Sequence, residues 1–358
     1  MTATPVGTRK IRTLPMGTKK TTISISMHRL RCHDCSKYLM EDIAFISSAS
    51  NRISKVLERS ILDLRKEMTI KAVANHFGLN WHTVKNTEKK HLRKKYEKIS
   101  LKGVTAIGID EVHMGEKIGG KGYLTIVRDL YSGATLFVGR GKSGDSLNEF
   151  AVKLKRSKVQ IKFVAVDLAP SFTSWIQKHT PKATIVYDHF HVIKLMNERL
   201  CNIRRRIMRE LEDEEKVDLK GKRWHFNRNE ENLSKQAKEE LGNCCHLYQE
   251  LGIAHGLKEA LRRIYKIRDV VFVENAMVYW CEKAEASQIK ELVSMAKTLR
   301  KHAAGIVAFW KTRITSAAME GFNNKIGWLT RQAYGYRDEE YLILKIFDLP
   351  NLKIVKEL

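Results

Sequence analysis

The stretch TAIGIDEVHM, residues 105–114, runs through an apolar segment and then sets Asp110 and Glu111 side by side, with His113 close behind. A short unbroken apolar run fits a strand buried in a sheet. Carboxylates at its end are expensive to bury unless something pairs with them, so the strand exit is a place where charge must be managed. Four more β-rich runs follow: YLTIVRDL, ATLFVGRG, KFVAVDL and ATIVYD. The turn residues GGKG and YSG separate the first three, as in an antiparallel meander. Asp145 to Lys155 and Phe172 to Lys178 read as helices, giving the order β-β-β-α-β-α-β. In that order the first and fourth strands can be neighbours at the centre of a mixed sheet. Asp110, ending the first run, and Asp167, ending the fourth, would then meet at one edge.

At 358 residues the chain exceeds one compact core, so two or three domains are expected. It carries 65 Lys+Arg against 40 Asp+Glu, a formal charge of +25, which predicts a polyanionic partner, DNA or RNA first. There is no apolar run of about 18 residues and no secretory leader, so a soluble cytoplasmic protein without membrane contact is expected. Of six cysteines only Cys32 and Cys35 show C-x2-C spacing, half of a structural zinc site. The others are scattered, which is no disulfide framework and fits a reducing compartment.

By count, the first hundred residues hold 21 Lys+Arg against 8 Asp+Glu, about half of the excess charge. Within them, IKAVANHFGLNWHTVKNTEKKHLRKK places Ala74, then Gly78, then Val84 at the spacing of a helix-turn-helix. Its second helix would offer Asn80, His82, Lys85 and Asn86 to DNA, backed by the basic run that includes Lys89, Lys90, Arg93 and Lys94. An ordinary helical hairpin would share this pattern. Farther along, no proline interrupts residues 182–349, and apolar residues recur at three- and four-residue steps, so 191–304 reads as mostly α-helical.

Two carboxylates held together repel unless a divalent cation lies between them, and hard oxygen ligands suit Mg2+ or Mn2+. Two such ions can serve an in-line phosphoryl displacement. The best third carboxylate is Glu320 in ITSAAMEGFNNKIGWLTRQAYGYR; a helix there puts Glu320, Asn324, Gly327 and Arg331 on one face. Glu111 alternates to the opposite side of its strand from Asp110 and stays outside the set.

The blocks GIDE, VAVDLAPSF, YDHFHVIKLMNERL and AMEGFNNKIGWLTRQAYGYR resemble the signature blocks of the ISL-three family of bacterial insertion-sequence transposases, over nearly the whole chain. The resemblance implies a DDE-type enzyme with an α/β, RNase H-like mixed-sheet core interrupted by an all-α insertion. It implies Asp110, Asp167 and Glu320 as the triad binding two Mg2+ (or Mn2+) ions, with Asp188 and His191 of the DHFH block in support beside Asn324 and Arg331. Asp188 also stands where it would cap the helix beginning near His191. Family members carry a second C-x2-C upstream that this sequence lacks, so Zn2+ at Cys32 and Cys35 would rest on an incomplete ribbon.

The expected organisation is a basic arm with a partial zinc-ribbon-like C-x2-C (1–40), a helix-turn-helix domain (41–100), the first part of the core (101–190), the helical insertion (191–304) and the closing core helices (305–358). The implied function is Mg2+-dependent cleavage and strand transfer at terminal inverted repeats. Its partners are the double-stranded DNA of those repeats and of the target, with at least a dimer on DNA, in a bacterial cytoplasm at the nucleoid. The rivals are a non-catalytic helix-turn-helix protein, either a repressor or a retired transposase, and an RNase H-like nuclease. Arg204 to Arg206, in the insertion, is a candidate brace for DNA or a second subunit.

Overall fold

A computed structural model describes residues 2–350 apart from residues 49, 116–121, 169 and 316. The chain divides into one unit of Met1–Ile99 with Leu329–Leu358 and another of Ser100–Trp328.

The first unit opens with β1 (Thr2–Arg12), β2 (Thr22–Arg31) and β3 (Tyr38–Met40), an antiparallel sheet in that order. Both faces of β1 and β2 are largely exposed, so the sequence has no apolar alternation that would mark them as strands. Then come α1 (Lys55–Leu64), α2 (Ile70–Phe77) and α3 (Trp81–Tyr96). Thr69 caps the start of α2 through its hydroxyl, and Gly78, at φ 58°, ends it in the left-handed conformation that glycine adopts without strain. Ala74, Phe77 and Val84 meet Leu57, Ile61 and Val73 in one apolar cluster, as the helix-turn-helix spacing requires.

The second unit is built on β4 (Ala106–His113), β5 (Tyr123–Asp129), β6 (Thr135–Arg140), α4 (Asn148–Ser157), β7 (Phe163–Val166), α5 (Pro170–His179) and β8 (Thr184–Tyr187). The sheet order is β6-β5-β4-β7-β8, with β4, β5 and β6 antiparallel and β4, β7 and β8 parallel. This is the mixed sheet expected from the sequence, with the first and fourth strands side by side at its centre. Of the GGKG turn only Gly122 lies within the described residues.

A run of helices follows: α6 (His189–Glu210), α7 (Arg223–Asn227), α8 (Lys235–Leu247), α9 (Gln249–Ile264), α10 (Val270–Ala286), α11 (Lys290–Lys301), α12 (Ala303–Thr312) and α13 (Ala317–Gln332). Ala106, Gly108 and Ala165 lie on one face of the sheet by strand alternation. Their small size brings helices close. A Cβ on Gly108 would stand 2.8 Å from Leu130 and 2.9 Å from Met319 of α13, and one on Gly305 of α12 would stand 2.6 Å from the Tyr187 ring. Among the described residues no helix is long and apolar enough to cross a membrane.

The last helix, α14 (Glu339–Asp348), returns to the first unit and packs along α3. This differs from the grouping of 305–358 with the core that the sequence suggests. It meets α3 through the buried Glu88–Lys345 pair, an apolar cluster of Leu92, Tyr341 and Leu344, and more exposed ion pairs, all between residues hundreds of positions apart, so no local pattern announces it.

Candidate active site and DNA-contacting surfaces

Gly108 on β4 pairs with Ala165 on β7 in parallel register. Two residues on, that register sets Asp110 level with Asp167, just past the end of β7 and on the same face. Asp110 Oδ1 accepts from the Glu111 amide at 2.8 Å, and Oδ2 accepts from Asn323 Nδ2 of α13 at 2.7 Å. Burial raises the Asp110 carboxyl above its ordinary value, and the charge of Asp167 adds to the rise; the Glu111 amide, His191 and Asn323 oppose it. Glu111 is pushed up to about 7 by burial and by the charges of Asp167 and Asp110. Burial first, and then the mutual repulsion of the three carboxylates, thus raise Asp110 and Glu111 at this edge of the sheet.

Asn323 reaches Asp110 because α13 is fixed to the sheet at its start. Arg128 of β5, 8% exposed, donates to the Ala318 carbonyl at 2.8 Å and lies 3.9 Å from the centre of the Phe322 ring. Burial lowers its guanidinium to about 10. Sequence reasoning passed over both residues: Arg128 reads as an ordinary charge in a strand, and Asn323 differs from the chosen Asn324 only by one step around a helix.

Glu320, Asn324 and Arg331 are exposed on α13, as their shared helical face predicts. Glu320 stands one helical turn before Asn323 and so on an adjoining flank. Among the described residues no group of three or more His, Cys, Asp or Glu side chains is assembled to hold a metal ion. Asp110 and Asp167 are brought together; Glu320 is not gathered to them.

Asp188 is 1% exposed and caps α6: its Oδ1 accepts from the Phe190 amide at 2.9 Å and its Oδ2 from the Thr315 hydroxyl at 3.0 Å. His189 Nδ1 lies 2.9 Å from the same carboxylate. These contacts make Asp188 a cap and a positioning group. His191, one turn into the helix, is close enough for its charge to act on Asp110.

On α3, Asn80 is the N-cap, its Oδ1 accepting from the His82 amide at 2.8 Å. Lys85 and Lys89 bind Asp338, both at 2.8 Å, and Glu340 takes Lys89 at 2.9 Å and Arg93 at 2.6 Å. His82, Asn86, Lys90 and Lys94 are exposed at four-residue steps, forming a stripe that faces solvent. Four of the basic positions singled out on α3 therefore divide into neutralised Lys85 and Lys89, half-engaged Arg93, and Lys90 on the open stripe.

In the amino-terminal arm the Cys32 thiol is drawn below its ordinary value, first by the Cys35 amide and then by that of Asp34, the arrangement of a tight knuckle. The neighbouring histidines point elsewhere: His28 pairs with Glu41 at 2.9 Å, and His33 contacts Thr2 Oγ1 at 3.1 Å.

A mixed sheet with one aspartate within its central strand β4 and a second just past the end of the parallel strand β7, followed in the chain by a long helical segment and preceded by a helix-turn-helix, defines an α/β enzyme joined to a DNA-reading module. Residues 107–346 match the family model for the DDE transposase of ISL3 type, described as Transposase, and residues 50–91 match the helix-turn-helix domain of transposase family ISL3. The chain belongs to the ISL3 family of transposases and is an enzyme of DDE type. It is 31% identical over 344 residues to the transposase for insertion sequence element IS1001 of Bordetella parapertussis, covering 94% of this chain and 83% of that protein. It is 26% identical over 261 residues to the transposase for insertion sequence element IS1557 of Mycobacterium tuberculosis, covering 66% and 58% respectively. Among solved structures it is similar to the Drosophila P element transposase strand transfer complex at 10% identity and a TM-score of 0.44, over 84% of this chain and 92% of that one, a likeness too slight to carry inference.

Proposed function

We propose that this chain is the transposase of a bacterial insertion sequence, binding its terminal inverted repeats through α3 and cutting a phosphodiester at each end at Asp110 and Asp167. The observation that carries this reading is the parallel register that levels the two aspartates, together with the raised carboxyls around them. Buried carboxylates that repel one another fit a hard divalent cation, Mg2+ or Mn2+. Asp110 and Asp167 would hold it; Glu320, the third carboxylate of the family pattern, stands apart from them one turn before Asn323 and would have to move in to complete the set. The ions, when bound, supply Lewis-acid activation for an in-line displacement at phosphorus.

The protein's own part is placement. Asn323 and the Glu111 amide fix both oxygens of Asp110, so the carboxylate presents one orientation. Arg128 holds the start of α13, and with it the approach of Glu320. Asp188 caps α6 and sets His191 toward the cut. We read the sheet as an RNase H-like core and the helices from α6 to α12 as its insertion, working on nucleoid DNA in the cytoplasm as a dimer or larger assembly. At Cys32 and Cys35 the knuckle supplies two zinc ligands, and Zn2+ there would require two more.

The test is cleavage of a duplex carrying the element's end. Asp110→Asn, Asp167→Asn and Glu320→Gln should each abolish Mg2+-dependent cutting while leaving binding to that duplex intact. Normal cutting by all three would overturn the site. A non-catalytic repressor would bind without cutting in any form, and a nuclease would cut without joining the ends to a target.

A further inference from the structure

The tract Arg204 to Arg206 does not act as a single basic face. Arg204 donates to the Leu219 carbonyl at 2.9 Å, and Arg206 is tied to Glu250 and Glu291. Arg205 is the one turned into a groove between α6 and α7, a cavity of about 510 Å3. That volume lies in the ~300–1,000 Å3 range of ligand sites.

Its lining has a particular chemistry. Trp224 is 60% exposed and Phe190 45%, and Arg223 and Arg228 stand beside Arg205, with Glu198 the one carboxylate among the lining residues. The guanidinium of Arg223 lies 5.3 Å from the centre of the Trp224 ring. Asn197 also lines the groove, and its Oδ1 is buried without a hydrogen-bond partner. A buried acceptor left unpaired is destabilising, and it marks a position where a donor is wanted.

Open aromatic planes amid guanidinium groups, with an amide edge between them, suit an unpaired nucleotide: the base stacks, the phosphates meet the arginines, and the amide reads a base edge. A paired base within a duplex offers its ring face to neither Trp224 nor Phe190. The groove also opens at the start of α6, the end of the helix from which the charge of His191 acts on Asp110. Phe190 stands two residues past Asp188, the α6 cap, and Asn197 and Arg205 continue the same helical face, at 1.5 Å per residue a path of about 22 Å from Phe190 to Arg205.

We propose that this groove holds unpaired DNA of the strand being cut, with one base stacked on Trp224 and its flanking phosphates on Arg205, Arg223 and Arg228. This rests on the cleavage site assigned above. Binding can be tested apart from cutting, by fluorescence anisotropy of the full chain without divalent metal, using a labelled oligothymidylate of about a dozen nucleotides and a blunt duplex carrying the element's end. Trp224→Ala should weaken oligothymidylate binding roughly five- to hundredfold, the range for losing one stacked base, and leave the blunt duplex unchanged. Trp224→Phe should restore most of the loss, and Phe190→Ala should weaken the same probe.

Equal oligothymidylate binding by the native chain and Trp224→Ala would overturn the proposal, as would parallel losses on both probes or no binding of the single strand at all. The exposure of Trp224 makes a folding failure an unsuitable explanation, and the Phe variant controls for it. If the native chain bound the oligonucleotide through Trp224 but never cut the duplex with Mg2+, the groove would stand and the assigned cleavage site would fall. Cutting that proceeds with Trp224-independent binding would show the reverse.

Discussion

Lys345 and Glu88, 257 residues apart in the chain, close a 2.8 Å ion pair in the interior of the first unit. Arg65 donates to the same carboxylate at 2.6 Å, and the Tyr341 hydroxyl at 2.5 Å. Glu88 is 4% exposed and Lys345 5%, so both charges depend on this cluster for their solvation. Replacing Glu88 by Gln leaves two buried cations without a counter-ion. We expect Glu88→Gln to destabilise the unit by about 3–5 kcal/mol. Urea unfolding followed by hydrogen exchange in α3 would report it, and a loss under about 1 kcal/mol would show the cluster to be solvated by other means.

The same cluster sets an acid limit. Burial alone would raise the Glu88 carboxyl, but Lys345 and Arg65 outweigh it and hold it below 4.5. A carboxyl depressed on folding contributes fully above its unfolded value and loses that contribution as pH falls through the folded one. Asp338 and Asp348 are shifted in the same direction. The first unit should therefore hold its urea midpoint from pH 7 to about 5 and lose it progressively below about 4.5. Glu88→Gln should flatten that dependence, and an unchanged slope would remove Glu88 from its cause.

Asn323, not its neighbour, touches the Asp110 carboxylate. Groups that orient a metal-binding carboxylate typically carry a ten- to hundredfold share of metal affinity or activity. Asn323→Ala should weaken Mg2+ activation of cleavage by roughly that factor, visible as a rightward shift of the Mg2+ titration. Asn324→Ala, exposed one step around α13, should shift it much less. Equal effects would mean that the helix face, and not the contact to Asp110, is what matters.

On α3 the two sets of basic residues should behave differently. Lys90 lies on the open stripe with His82 and Asn86, and its loss should weaken duplex binding across sequences and reduce the salt slope by about 1. Lys89 is already neutralised by Asp338 and Glu340, so Lys89→Ala should leave the slope nearly unchanged. Salt titrations of anisotropy with an end duplex decide between them, and a large slope change for Lys89→Ala would mean that DNA displaces the acidic residues.

The central sheet was legible because its strands are buried on both faces and read as apolar runs, and because the order of runs leaves few ways to place them. Asp110 and Asp167 followed from their positions at the ends of two such runs. The helix-turn-helix was legible from Ala74, Gly78 and Val84, whose spacing is local. The strands of the arm were not, since Thr2–Arg12 and Thr22–Arg31 bury almost nothing and leave no alternation. Nor could Arg128 or Asn323 be found, because each acts across the fold on a residue far from it in sequence. Asp338 and Glu340 look like a solvated acidic turn until the return of α14 sets them on α3.

The return of α14 has a consequence for how the protein is made. Glu88 is synthesised early, yet the lysine that balances it is added more than two hundred residues later. Until that stretch clears the ribosome, the interior carboxylate of the nascent DNA-reading module has Arg65 as its one cationic partner in the cluster, and Lys85 and Lys89 of α3 lack Asp338 and Glu340. A message broken before its last helix is encoded therefore yields a first domain that is less stable and more basic on α3 than the same domain in the whole enzyme.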